Sequence, residues 1–391
     1  MLQSVKSIKL PDWILTPQLE MLMGVLNNPQ VTEPQTLLVG GCVRNAIMKG
    51  APTDIDLATK LSPEDVLRCA EENNFKAIPT GIEHGTVTII IDGRSFEVTT
   101  LRKDVETDGR HAEVAFTDDW VEDAKRRDFT VNSLLSAFKG NIYDPLEKGI
   151  SDLNSKRIVF VSNPLIRIEE DHLRILRFFR FHAYYGQGEI DKEGLQACRQ
   201  MADKVYELSR ERITQEFMKI LAVNDAPQIL KIMIDSSILS KLIDKNYQAE
   251  ALDRLCALQV VHGAVNVETR LFVLAGNRSR IFENYLRLSH AQLKFIIKLE
   301  MALGADFYSD PRALKKAIFY HGNDLICQGY LLAVALGQVE IQNDMLDFTK
   351  NWQAPECPIT GKDLLAEGYQ TGPELWQELR RRQEEWLEEV V

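Results

Sequence analysis

The chain has 391 residues, 45% of them hydrophobic and 26% charged, which is ample material for more than one soluble core. Its 22 glycines and 14 prolines are too few for a collagenous or low-complexity polymer. A formal net charge of −11 argues against a protein that coats nucleic acid through a uniformly basic surface, although residues 121–220 hold 17 Lys and Arg against 16 Asp and Glu, so the acidic excess lies elsewhere. The opening residues lack the uninterrupted apolar core and small-residue cleavage site of a signal peptide. The most apolar stretch, LICQGYLLAVALG from Leu325, falls short of the roughly 18 residues of a membrane helix. Cys42, Cys69, Cys198, Cys256, Cys327 and Cys357 are scattered and form no metal-ligand spacing. They predict reduced thiols in a cytoplasmic protein, without a disulfide framework or a zinc site, and the short apolar stretches predict no membrane partner.

In chain order, TLLVG (Thr36–Gly40) predicts a short strand running into glycines, and CVRNAIMKG a helix closing at Gly50. DIDLAT (Asp54–Thr59) alternates as a half-buried strand does. Ser62 followed by Asp65 marks a helix start, with the helix reaching about Asn73. GTVTIII and SFEVTTL, joined by Asp92-Gly93, predict a hairpin. DVETDGRHAE (Asp104–Glu113) has no periodicity and reads as a loop, and RRDFTVNSL (Arg126–Leu134) as the start of a helix. From Ile166 onward helical periodicity dominates, with no fixed-period repeat. The expected architecture is a small sheet domain followed by a long helical region.

Three constellations carry chemistry. Gly40-Gly41, between a strand and a helix, lets backbone N–H groups approach a phosphate, with Arg44 one turn on. By itself this is better read as a tight turn. Asp54 and Asp56, two apart on the predicted strand, share one face. Paired carboxylates repel unless a cation sits between them, and Mg²⁺ takes such oxygens together with substrate phosphates. Glu97 is either a third carboxylate for that site or a salt-bridge partner of Arg102. In RRDFTVN, Arg127 offers a planar donor fork and Asn132 a ribose or carbonyl partner; a capped helix with surface arginines is the alternative. In EEDHLRILRFFRF, Asp171, Arg174, Arg177 and Arg180 recur every three residues along a predicted helix, leaving positive charge over for an anion.

Taken together, VGGCVRNAIMKGAPTDIDLAT, RRDFTVN and EEDHLR resemble the class II tRNA nucleotidyltransferases (CCA-adding enzymes) and the related bacterial poly(A) polymerases, within the DNA polymerase beta-like superfamily. Asn45 departs from that pattern, in which many members carry Asp after the Arg. The resemblance implies an α+β nucleotidyltransferase head at 1–146, then an elongated all-α neck at 147–225, a body at 226–325 and a tRNA-binding tail at 326–391. It implies that Asp54 and Asp56 hold catalytic Mg²⁺, and that Gly41, Arg44, Arg127 and Asn132 contact the incoming nucleotide. It also implies that Asp171 and Arg174 select CTP and ATP by their amine-donor and ring-acceptor edges, helped by Arg177 and Arg180. The tRNA 3′-hydroxyl would attack the α-phosphate, with no oligomeric state specified. LSRERITQEFMKIL resembles a further family motif, with Glu211, Arg212 and Glu216 as braces, and Asp104 and Arg110 match a loop that re-forms the pocket between C and A. A poly(A) polymerase, an enzyme adding only CC or only A, and a non-catalytic tRNA binder remain alternatives.

Overall fold

Local chemistry fixes the sheet first. Asp92 (φ 48°) and Gly93 (φ 80°) both take positive φ, the two-residue turn whose twist matches paired strands. The hairpin predicted around them forms between Thr86–Ile91 and Arg94–Thr100. The computed structural model describes residues 2–104, 114–243, 247–275, 284–303, 308 and 310–390. By compactness the chain falls into two units, Met1–Leu208 and Ser209–Val391.

In the first unit the strands are β1 (Ser4–Ser7), β2 (Thr36–Val39), β3 (Asp56–Thr59), β4 (Lys76–Gly81), β5 (Thr86–Ile91), β6 (Arg94–Thr100), β7 (Arg102–Asp104), β8 (Val114–Phe116), β9 (Leu135–Ser136) and β10 (Asn141–Tyr143). Eight form one sheet in the order β1-β10-β9-β2-β3-β6-β5-β4, and β7 pairs with β8. The β3–β6 pair is parallel, with Asp56 opposite Glu97, and β2 runs antiparallel to β3 with Val39 opposite Asp56. This register brings the end of β2, where the glycines begin, to the end of β3 where the aspartates lie.

Helices α1 (Pro17–Leu26), α2 (Gly41–Met48), α3 (Pro63–Glu72), α4 (Trp120–Lys125), α5 (Gly149–Asn154), α6 (Pro164–Glu170), α7 (Leu173–Tyr185) and α8 (Lys192–Gln200) complete the unit. α3 starts as its sequence predicts: Ser62 Oγ accepts from Asp65 N at 3.1 Å, and Pro63 takes the first turn. Leu37, Val39, Ala58, Leu101, Trp120 and Leu135 form one buried cluster beside the sheet.

Three expectations change. The strand predicted from Asp54 begins at Asp56, so Asp54 precedes it on an exposed connection. RRDFTVN does not open an α-helix; only Thr130–Asn132 make a 3-10 turn before β9. Asp128 accepts from its neighbour Phe129 N at 2.8 Å, a local bond that competes with helix formation. The helix predicted through Asp171 is broken there, because Asp171 is extended (φ −152°, ψ 104°) and its Oδ1 accepts from Leu173 N at 3.1 Å. Asp171 thereby ends α6, and its side chain bonds the first residue of α7, whose N-cap position is His172. The loop residues 105–113, Arg110 among them, lie outside the described residues. Asp104 ends β7.

The second unit is helical throughout its described residues: α9 (Arg210–Ala222), α10 (Ala226–Asp235), α11 (Ala249–Val261), α12 (Val267–Ala275), α13 (His290–Leu303), α14 (Pro311–His321), α15 (Asn323–Ala335), α16 (Asn343–Asn351), α17 (Gly361–Ala366) and α18 (Pro373–Val390). Its buried centre is polar in one place. Arg270 is wholly buried, and its Nη1 donates to Leu221 O and Val223 O at 2.6 Å each, at the C-terminal end of α9. Its Nε donates to Gln259 Oε1 at 2.7 Å, and Gln259 Nε2 in turn donates to Gln328 Oε1 at 2.9 Å. A cation at a helix C-terminus meets carbonyls that have no partner within the helix. Replacement Arg270→Met keeps much of the volume and leaves those carbonyls unsatisfied, so we expect a loss of roughly 3 kcal/mol in urea unfolding. An unchanged midpoint would show that water can replace the guanidinium.

Candidate active site

The site is built around the turn from β2 into α2. Gly40 has φ +73°, which a side chain would strain, and a Cβ there would lie 3.8 Å from Arg127 Nη1. The turn is also tied sideways, since Gly40 N donates to Leu134 O at 3.2 Å. Gly41 begins α2. Behind the turn, Cys42 Sγ donates to Val39 O at 3.3 Å, and burial pushes its thiol up to about 11, so it stays protonated and inert near neutrality.

Across from the turn, Asp56 is half-buried while Asp54 and Glu97 are exposed. Burial, then the charge of Glu97, then that of Asp54 push the Asp56 carboxyl up to about 6, with Arg127 opposing them. This is a carboxylate short of positive charge. The donors are all carboxylate oxygens, the hard set that suits a divalent cation of the magnesium kind. Among the described residues no group of three or more His, Cys, Asp or Glu is placed to hold a metal ion. Asp54 lies near enough to Asp56 for its charge to act there, and a pair of carboxylates is a donor set of the kind Mg²⁺ takes beside substrate phosphates. The donors fit the cation.

Arg127 is close enough to Asp56 to act on its charge, and it belongs to a wider set of guanidinium groups in this unit. Arg127 Nη2 and Nε both donate to Asp123 Oδ2, at 2.9 and 3.2 Å, and Arg126 Nε donates to Asp123 Oδ1 at 2.9 Å. Burial alone would raise Asp123; Arg127 and then Arg126 overcome it and hold the carboxyl below its usual range. Arg177 donates to Asp128 Oδ2 through Nε at 2.8 Å and Nη2 at 2.5 Å. Arg174 Nη1 donates to Arg167 O at 2.8 Å and Glu170 Oε2 at 2.5 Å, and its Nη2 to Arg126 O at 3.1 Å. Three guanidinium groups surround one ring: those of Arg44, Arg177 and Arg180 lie 5.2, 5.2 and 4.6 Å from the centroid of Phe181.

Arg44 and Asn132, expected to reach a nucleotide, are buried and turned inward. Arg44 Nη1 donates to Asn132 Oδ1, its Nε and Nη2 to Asn45 Oδ1 at 3.2 and 3.0 Å, and its Nη2 to the Tyr185 hydroxyl at 2.8 Å. Its guanidinium also stacks 3.9 Å from the Tyr185 ring centroid. Asn132 Nδ2 donates to Asp128 Oδ1 at 2.8 Å. Asn45, the departure noted in the sequence, uses its amide both ways: Oδ1 receives Arg44, and Nδ2 donates to Ala51 O at 2.9 Å. An Asp could not make the second bond when ionised.

The structure thus gathers Gly40, Gly41, Asp54, Asp56 and Arg127 at one end of the sheet, and Arg44, Arg177 and Arg180 about Phe181. Asp171 stands at the break between α6 and α7, two residues before the helix that carries the arginines. Sequence reasoning missed Asp123, Glu170, Phe181 and Tyr185. Only Asp123 left a signal, its i,i+3 and i,i+4 spacing to Arg126 and Arg127.

Comparisons with known proteins follow the same lines. Residues 36–159 match the family described as Poly A polymerase head domain, and residues 189–250 the family described as "Probable RNA and SrmB- binding site of polymerase A". The CCA tRNA nucleotidyltransferase 1, mitochondrial, of Danio rerio is 32% identical over 93% of this chain and 86% of its own length. The CCA-adding enzyme of Lactobacillus delbrueckii subsp. bulgaricus (strain ATCC 11842) is 30% identical over 92% and 91%. Among solved structures, the Bacillus stearothermophilus CCA-adding enzyme in complex with CTP aligns with a TM-score of 0.72 at 24% identity, covering 96% of this chain and 94% of that one.

Asp123 supplies the test of the arginine scaffold. Replacement Asp123→Asn should cost about 2 kcal/mol at neutral pH, since two charge-assisted pairs are lost. The folded carboxyl is depressed below its unfolded value near 3.9. Its stabilisation is therefore complete above that value and fades as pH falls through the folded one. The gap between wild type and variant should stay level above about pH 5 and close below about pH 4. A gap independent of pH would show that the Asp123 charge is not what matters.

Proposed function

This chain belongs to the tRNA nucleotidyltransferase family of CCA-adding enzymes, and from that premise we propose that it adds C, C and A to tRNA 3′ ends from CTP and ATP, without a nucleic-acid template. The observation that carries the reading is the strand register that sets Asp54 and Asp56 against the Gly40-Gly41 turn, with Arg127 Nη1 beside that turn.

In this reading Asp54 and Asp56 hold Mg²⁺, which when bound supplies Lewis-acid charge for the attack of the tRNA 3′-hydroxyl on the α-phosphate and the departure of pyrophosphate. The protein's own part is positioning. The Gly40-Gly41 turn admits the triphosphate closely because no side chain projects from it, and Arg127, fixed in orientation by Asp123, meets a phosphate oxygen. Arg44 and Asn132 serve the nucleotide from behind, as a locked positive floor beneath Phe181 and Tyr185. Asp171 and Arg174 present an acceptor and donors to the base edge. That pattern matches the amine and ring nitrogen of C and A and mismatches G and U. Arg177 and Arg180 add positive charge about the same ring.

Among the described residues no helix is long and apolar enough to cross a membrane. Four of the six cysteines are buried as free thiols, which favours the reducing cytoplasm.

A gel assay offers CTP, ATP, GTP, UTP or CTP with ATP to tRNAs ending before CCA, after C and after CC. Two C and then one A, followed by arrest, is the expected ladder. A long A ladder would make it a poly(A) polymerase, and A added only to the CC end an A-adding enzyme. Asp54→Ala should lower incorporation at least about a thousandfold with an unchanged thermal midpoint, because Asp54 is exposed and lies outside the strand. Retained turnover would remove the metal assignment. Arg174→Ala should narrow the preference for CTP and ATP over UTP and GTP by more than it raises KM for the triphosphate. An unchanged preference would sink the base-reading assignment.

A further inference from the structure

Every hydrogen-bond acceptor of the Arg44 guanidinium among the described residues is neutral. Nε and Nη2 go to Asn45 Oδ1, Nη1 to Asn132 Oδ1, and Nη2 also to the Tyr185 hydroxyl. Arg44 is only 5% exposed, so water screens it little. Asp128, the carboxylate whose charge reaches it, already takes two bonds from Arg177. The guanidinium also stands at the glycine turn. A Cβ added to Gly41 would lie 3.7 Å from Arg44 Nη2, and 3.7 Å from Oγ1 of Thr53, the residue before Asp54. Arg44 is thus a buried cation beside the turn, and no carboxylate is bonded to it.

A charge buried without a counter-ion is costly, so its neutral partners must hold it. Tyr185 does so with two contacts at once. Its hydroxyl accepts from Nη2 at 2.8 Å, and its ring centroid lies 3.9 Å from the guanidinium carbon, against 5.2 Å for Phe181. A phenol hydroxyl and a ring face stabilise a cation without cancelling its charge. A carboxylate in the same place would hold Arg44 more tightly and neutralise it. Tyr185 is also the last residue of α7, the helix that carries Arg174, Arg177 and Arg180, so this contact ties that helix to α2. We propose that Tyr185 is a positioning residue for nucleotide transfer, holding Arg44 beside the glycine turn as a cation whose counter-charge is the triphosphate of the incoming nucleotide. The inference rests on the reading of that turn as the triphosphate site. Because it works through the phosphates, Tyr185 acts on CTP and ATP alike and leaves the choice of base to other residues.

The test measures CTP and ATP binding to the full chain by isothermal titration calorimetry with Mg²⁺ present, together with thermal midpoints and incorporation into tRNA ending in CC. Glutamine and glutamate share one shape and differ in charge, so the pair separates charge from packing. Tyr185→Glu should raise Kd for both triphosphates about tenfold or more, while Tyr185→Gln stays within about threefold of wild type. The glutamate variant should nonetheless melt at least as high as the glutamine one, because its carboxylate gains Arg44 as a partner. Tyr185→Phe, which keeps the ring and loses the acceptor, should raise both Kd values about threefold. An unchanged Kd in folded Tyr185→Glu, or in Tyr185→Phe should the glutamate variant not fold, would overturn the proposal. Equal losses in Tyr185→Gln and Tyr185→Glu would also overturn it, in favour of packing alone. A loss confined to one of the two triphosphates would overturn it in favour of base reading. Wild-type protein that binds neither CTP nor ATP would refute both this inference and the nucleotide reading of the turn. Wild-type protein whose triphosphate binding depends on the charge at residue 185, but which adds nothing to tRNA, would uphold this inference and refute the activity alone.

Discussion

A carboxylate removed from water must be satisfied on all sides, and Asp128 is the buried carboxylate on which the arrangement of the first unit depends. Its Oδ1 accepts from Phe129 N and Asn132 Nδ2, and its Oδ2 accepts two bonds from Arg177. Burial would push it up; Arg177 first, then the Asn132 and Phe129 bonds, bring it below the usual carboxylate range. Each bond has a structural consequence. The Phe129 bond sets the backbone that delivers that ring into an aromatic cluster, 5.0 Å from both Phe160 and Phe181. The Asn132 bond leaves its Oδ1 aimed at Arg44, which in turn reaches Tyr185. The Arg177 bond fixes α7 against the segment that begins β9. Removing either charge would strand the other in a poor solvent, so the network holds together as a unit.

Around this hub, beside the pairs that Arg126 and Arg127 make with Asp123 and Arg174 with Glu170, like charges also gather. Asp54, Asp56 and Glu97 crowd at one end of the sheet, and Asp56 is pushed up because of it. Arg44 lies close enough to Arg180 to feel its charge, and burial together with that repulsion lowers its pKa despite help from Tyr185 and Asp128. Such separation costs stability in the isolated protein. It is the arrangement expected where a cation and a triphosphate supply the missing charges. The aromatic faces of Phe181 and Tyr185 lessen the cost on the arginine side by cation–π contact.

What the sequence made legible was local. The Asp92-Gly93 turn, the Ser62 cap and the glycines after β2 each follow from one or two residues whose backbone preferences are strong. The long helical region after residue 160 was legible from its periodicity, and the two-aspartate pattern from its spacing. The rest depended on partners distant in sequence. Nothing near Asp54 says that β3 will wait until Asp56, because the start is set by pairing with Val39 and Glu97. The arginine periodicity through Asp171 looked like one helix, yet the Asp171 backbone is extended and its side chain bonds Leu173 N instead of continuing the helix. The burial of Arg270 is explained only by groups distant in sequence, the carbonyls at the end of α9 that it meets.

Arg44 shows why a candidate residue's type and spacing do not settle how it acts. Its position one turn beyond the glycines is that of a ligand-contacting arginine, and the sequence contains no reason to think otherwise. The fold instead engages its three nitrogens with Asn45, Asn132 and Tyr185. A guanidinium held in this way cannot swing out without leaving several buried acceptors unsatisfied, which costs more than one exposed contact returns. What it can give without moving is its field, which burial makes stronger because less water screens it. Arg127 is the contrasting case. Asp123 takes its Nε and Nη2, while Nη1 is directed to the glycine turn. One carboxylate thus orients a second arginine beside the glycine turn, while the first stays bonded to Asn45, Asn132 and Tyr185.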